Sequence, residues 1–173
     1  MTRFILFYGS AAGLAVSAFL IAGIFLIDGP GSPLFGYLTM LVSLSVIFLA
    51  VKRYRDRNGG GVIKFWPALA LGVSIAVVAA TFYVLAWEIY FNASNGAWLD
   101  GYVDSMVANR QAGGAGEEAL AAYRTEMEEM MALYRNWWFR IPVTYSEILP
   151  VGVLISLVSA GLLRNARFLP ARG

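Results

Sequence analysis

A chain of 173 residues that is 59% hydrophobic and 14% charged, with a mean hydropathy of +0.65, is too apolar for an ordinary water-soluble domain and reads as a protein of the bilayer. Its formal charge of +2 is too small for a globally basic nucleic-acid binder. It contains neither Cys nor His, which excludes disulfide frameworks, thiol nucleophiles, thiolate or imidazole metal sites and imidazole acid–base chemistry.

The first element is the uncharged run of 24 residues from Phe4 to Ile27. At about 1.5 Å per residue it crosses a hydrocarbon core of roughly 30 Å. It follows Arg3, as a signal peptide would, but a signal core runs only about 7 to 15 residues. An uncleaved first span is therefore expected. "DGPGSP", Asp28 to Pro33, stacks turn formers before the uncharged run Leu34 to Val51, so spans one and two should form a tight hairpin. "VKRYRDRNGGG", Val51 to Gly61, then forms a basic loop. Phe65 to Ala86 is the third span; Pro67 falls in its first turn, where a missing N–H is tolerated, and "WEIYF" closes it with aromatic rings. The last span, Val143 to Leu163, follows "NWWFRIP" and stops at Arg164.

The expected fold is thus all-α, one membrane domain over 1–173 with spans at about 4–27, 34–51, 65–86 and 143–163. An extracytoplasmic amphipathic helical insertion, 92–142, separates spans three and four. Its orientation follows from charge. Lys52, Arg53, Arg55, Arg57 and Lys64 oppose Asp56 alone, a net of +4, and Arg3, Arg164, Arg167 and Arg172 share that side. The segment from Asn92 to Pro142 holds seven acids and four bases, a net of −3. Positive residues in short loops stay cytoplasmic, so both termini and the basic hairpin belong inside. Lys52, Arg53, Arg55 and Arg57 are read as a topology anchor that also touches anionic headgroups, not as a nucleic-acid grip.

The stretch "VKRYRDRNGGGVIKFWPALALGVSIAVVAATFYVLAWEIYFN", followed later by "TYSEILPVGVLISLVSAGLLR", resembles the bacterial membrane proteins grouped as DUF4199. The resemblance is carried by the basic pattern at Arg53 to Asp56, the pair Gly59 and Gly60, Gly72 within the next span, and the closing pattern from Pro150 to Leu157. It implies four spans and a place in the bacterial inner membrane, and no activity.

Small residues at four-residue spacing allow helices to pack closely in lipid. Gly9, Gly13 and Ser17 form such a ridge on the first span, Ala68, Gly72, Ala76 and Ala80 on the third, and Gly152, Ser156 and Ala160 on the fourth. A dimer face through Gly9 and Gly13 is the alternative use of that ridge. Ionisable residues near or within spans are candidates for function. Glu88 lies near a helix C-terminus, where its charge opposes the macrodipole and asks for a partner. Glu147 closes "TYSE", Thr144 to Glu147, a pattern that fits a capping box at the start of the fourth helix. Glu88, Glu147 and Asp28 together would make a proton or hard-cation site; separately they are interfacial, solvated or capping carboxylates.

Within the insertion, Leu120, Tyr123, Met127, Met130, Tyr134 and Trp137 recur at alternating intervals of three and four, while Glu118, Arg124, Glu128, Glu129 and Arg135 fall on the other face. That seam suits packing on the protein's own helices, including one around Trp98, Tyr102 and Met106, or a partner's helix. "GGAG", Gly113 to Gly116, reads as a hinge, and no Walker loop, nucleophile elbow or dinucleotide fingerprint occurs. The expectation is a non-catalytic accessory or scaffold subunit without cofactor or metal, surrounded by lipid, with a protein partner or a second copy. The alternative is a small oligomeric transporter or ion-conducting protein that uses Glu88 and Glu147.

Overall fold

The computed structural model describes residues 1–26 and 33–171, and among them every regular element is a helix. In chain order these are α1 (Thr2–Leu26), α2 (Pro33–Leu44), α3 (Val46–Asn58), α4 (Phe65–Ala93), α5 (Ala97–Ala112), α6 (Glu117–Tyr134) and α7 (Trp137–Leu163). Four stretches are long and apolar enough to cross a membrane: Thr2–Leu26, Leu34–Asn58, Phe65–Ala93 and Trp137–Leu163. Asp28 lies outside the described residues.

Three boundaries differ from the sequence expectation, one of them the end of α4, which runs on through the aromatic stretch to Ala93 rather than stopping at Ala86. The basic stretch is not a loop: α3 carries Lys52 to Arg57 as helix and ends at Asn58. Lys and Arg are good helix formers, and Lys52 pairs one turn on with Asp56 at 2.5 Å, so the chain has no reason to unwind before its glycines. Gly59 then takes the return, where an added Cβ would collide with the Val62 carbonyl. The third difference is at α7, which starts at Trp137 rather than near Val143 and has Asn136 in extended conformation just before it. Thr144 and Glu147 are therefore interior residues of a helix and form no capping box. The Thr144 hydroxyl donates instead to the Arg140 carbonyl at 3.0 Å.

Helix α4 forms the centre, packed between α1 and α7, with α3 against α1, α4 and α7. The closest approaches are made by glycine. A Cβ on Gly9 would lie 2.6 Å from Val78 Cβ and one on Gly13 2.7 Å from Phe82 Cβ, which brings α1 onto α4. A Cβ on Gly72 would lie 2.7 Å from Ser156 Oγ and one on Gly152 2.6 Å from Ala76 Cβ, which brings α4 onto α7. The small residue at each contact matters, because dispersion rather than water exclusion binds helices in lipid. Gly152→Val is therefore expected to lower stability by about 1–3 kcal/mol through overpacking. Gly161→Val on the same helix, where a Cβ meets nothing within 4 Å, should change little. Unfolding midpoints in mixed micelles check the pair, and equal effects would sink the close-packing account.

The outward side chains of these helices are large and apolar, among them Phe7, Leu14, Phe25, Leu38, Trp66, Ile89, Leu154 and Val158, each 50% exposed or more. In water such a surface would aggregate; in hydrocarbon it is the favourable one.

At the basic end, the four candidate anchor residues do not share one environment. Arg57 is exposed, and Arg53 donates to the Tyr8 hydroxyl at 3.0 Å. Arg55 is fully buried. Its Nε donates to Asp56 at 2.8 Å, one terminal nitrogen donates to the carbonyls of Leu163 (3.5 Å) and Phe168 (2.9 Å), and the other donates to that of Leu169. A buried guanidinium that holds the end of α7 and the chain beyond it is not a headgroup contact, so for Arg55 that reading is corrected. Five donors in a rigid fork suit it to this clustered set of carbonyls.

Candidate functional site

Aromatic residues at the far end of α4 face the α6–α7 junction. Trp87 and Phe91 are buried there with Leu99 of α5, and Tyr134 and Met131 of α6 pack against them. The Phe91 and Tyr134 rings meet edge to face at 6.0 Å. Burial raises the Tyr134 phenol above its ordinary range, and the charge of Glu147 adds to that rise.

Arg140, on the first turns of α7, enters this cluster almost completely buried. Its Nε lies 2.6 Å from Glu88 Oε1 and its second terminal nitrogen 2.7 Å from Glu88 Oε2, a two-pronged bridge to α4. The remaining terminal nitrogen donates to the carbonyls of Tyr134 (3.1 Å) and Arg135 (3.0 Å), the last residues of α6 and the joint beyond it. The guanidinium plane also lies over the Phe91 ring, 3.9 Å from its centroid. One side chain thus satisfies a carboxylate, two free helix-end carbonyls and an aromatic face, and it ties α4, α6 and α7 together. Sequence reasoning asked for a partner to Glu88 and missed Arg140, whose signal was a lone base among "NWWFRIP" aromatics.

Glu147 stands two turns further along α7, on the exposed side. Its hydrogen-bond partner is the Tyr83 hydroxyl, at 3.5 Å. Glu88 and Glu147 hold different partners: Arg140 neutralises the first, and the second accepts from the Tyr83 hydroxyl. Among the described residues no group of three acids could hold a metal ion.

In the insertion, α5 and α6 pack together through the "GGAG" turn, with Gly114 at φ 88°. Arg124 joins them by an exposed ion pair to Asp104 at 2.9 Å, and Arg110 lies over the Tyr123 ring at 4.5 Å. An open cleft of about 330 Å³ between the two helices has Leu99, Val103, Met131 and Ala132 among its apolar lining. Of the five residues read as a partner face, Met127 is buried, Leu120, Tyr123 and Tyr134 are half-buried, and only Met130 is exposed. The seam is largely covered by the chain itself: Tyr134 packs against Trp87 and Phe91 of α4 and Leu99 of α5, and Met127 is buried. The exposed surface of α6 is its acidic one, with Glu117, Glu118, Glu126, Glu128 and Glu129.

The family described as "Protein of unknown function (DUF4199)" matches residues 8–165. No curated protein and no solved structure matches the chain. Nearly the whole chain lies within that match, and it belongs to the DUF4199 family.

Proposed function

We propose that this DUF4199 member is a non-catalytic accessory or scaffold subunit of the bacterial inner membrane, with both termini cytoplasmic and α5–α6 presented outside. The observation that carries the reading is the Arg140 junction. A guanidinium that grips Glu88 and the α6 end carbonyls fixes the insertion to the bundle, so its acidic surface is held as a rigid platform instead of trailing on a loop. A preorganised surface loses less ordering entropy when it binds. The net charge of −3 over 92–142 favours a partner with a basic face there.

Two measurements test this. Extracted from native membrane in a mild detergent, the protein should carry a foreign subunit in fixed stoichiometry, lost in a Glu118→Lys, Glu129→Lys, Met130→Glu variant that folds normally. A homo-oligomer with nothing else bound overturns the reading. For orientation, Gln111→Cys should label with an impermeant maleimide in intact cells and Asn58→Cys only after lysis, both positions being exposed on a chain without native cysteine. The reverse pattern would invert the topology.

A second reading, a small oligomeric transporter or ion-conducting protein, keeps one supporting observation, the exposed carboxylate of Glu147 within a span. Glu88 no longer serves it, since it is held by Arg140.

A further inference from the structure

We propose that Glu147 is the docking point for a membrane-spanning helix of a partner protein that carries a lysine or arginine; this rests on the accessory-subunit reading and names the chemistry of that partner. Glu147 lies nine residues beyond Trp138 and sixteen before Leu163. At 1.5 Å per residue this is about 14 Å and about 24 Å along α7, a depth inside hydrocarbon for a span framed by the Trp pair and Arg164. A carboxylate there is costly to leave alone. The Tyr83 hydroxyl offers one hydrogen bond and no charge.

Among the described residues no base forms an ion pair with Glu147. In the ion pairs among the described residues, Lys52 and Arg55 go to Asp56, Arg124 goes to Asp104 and Glu128, and Arg140 goes to Glu88. A second copy does no better: Arg140 is buried on Glu88, and the other bases of the spanning stretches, Arg3 and Lys52 to Arg57, lie at the opposite end of the bundle, beside Tyr8 and Leu163. A lipid ammonium stays at the polar boundary, short of this depth. A lysine or arginine on a spanning helix reaches it.

The surface beside Glu147 suits such a helix. Leu154, Val158 and Gly161 follow it at intervals of seven, four and three on the same exposed face of α7. Leu154 is 59% and Val158 51% exposed, and a Cβ at Gly161 would meet open space, so a neighbouring backbone can come close.

The test reconstitutes the full-length protein in nanodiscs with a fluorescent synthetic leucine–alanine helix of about 22 residues bearing one lysine at the matching depth, and with its glutamine counterpart. Energy transfer should show the lysine helix bound about tenfold more tightly than the glutamine helix, with the difference lost in Glu147→Gln. Equal association of both helices, or a difference that survives Glu147→Gln, overturns the proposal. So does phosphatidylethanolamine retained by the wild type over Glu147→Gln, which would assign the site to a lipid ammonium. Glu147→Gln keeps the size and the Tyr83 hydrogen bond, and an unchanged unfolding midpoint confirms that it folds. A native partner subunit retained by Glu147→Gln would leave the accessory reading standing while removing this one.

Discussion

Arg140→Leu is expected to destabilise the protein by about 3–5 kcal/mol, the usual loss when one member of a buried ion pair is removed. Glu88, whose side chain is 16% exposed, would be left charged beside Trp87 and Phe91 in a region closed to water. The carbonyls of Tyr134 and Arg135 would lose their donor in the same step. Glu88→Gln should lose less, since an amide still accepts from the guanidinium, although Arg140 then keeps its charge without a counter-ion. The double variant Arg140→Leu, Glu88→Leu should recover a large part of the loss, because apolar side chains of similar volume often replace a buried pair without penalty. Unfolding in mixed micelles, followed by far-UV circular dichroism, gives all three values. If the double variant is as unstable as the sum of the singles, the two residues do not act as a pair and the junction has been misassigned.

The same substitution separates structure from presentation. With the fork removed, α5 and α6 should exchange amide hydrogens faster while α1, α4 and the rest of α7 keep their protection, since the glycine contacts at Gly9, Gly13, Gly72 and Gly152 lie elsewhere. Uniform loosening would mean that the insertion is part of the core rather than a platform held on it.

What could be read from the sequence and what could not follow from the range of each signal. Four spans were legible because a bilayer imposes uncharged runs of fixed length, as in Phe4 to Ile27. The packing glycines were legible for a similar reason: spacing of four on one helix face is local information. The start of α7 was not, because "TYSE" satisfies a local pattern while the helix in fact begins just after Asn136 and is carried through Pro142 and Pro150. A spanning helix tolerates such prolines when neighbours satisfy the freed carbonyls. The roles of Arg55 and Arg140 were invisible, since each is defined by contacts 50 or more residues away: Arg140 with Glu88, Arg55 with Leu163 and Phe168. A charge at a span boundary looks the same in sequence whether it faces headgroups or folds inward. The inward seam of α6 was likewise open, because periodicity shows that a helix has an apolar face and not what covers it.

Arg55→Leu supplies the second large effect, expected at about 2–4 kcal/mol for the loss of charge-assisted bonds to several buried acceptors. The two account for the basic cluster differently. If Arg55 were only a topological charge, Arg55→Leu and Arg57→Leu would behave alike, each removing one positive residue from the same short connection. In the structure Arg57 is exposed, whereas Arg55 is buried and clasps carbonyls on both sides of Arg164 to Arg167. Leu169 shows what the clasp maintains. Its φ of 48° lies in the left-handed region, unfavourable for a branched side chain, and its carbonyl is held by the Arg55 guanidinium. Without that hold the backbone should relax and the chain after Leu163 should come away from α3. Trypsin reads this directly, because Arg164 and Arg167 are both exposed. Cleavage after Arg167 should accelerate in Arg55→Leu and stay at the wild-type rate in Arg57→Leu. Equal rates in the two variants would return Arg55 to the role of a simple anchor. A selective gain instead makes the "KRYRDR" helix the latch that closes the last helix of the chain.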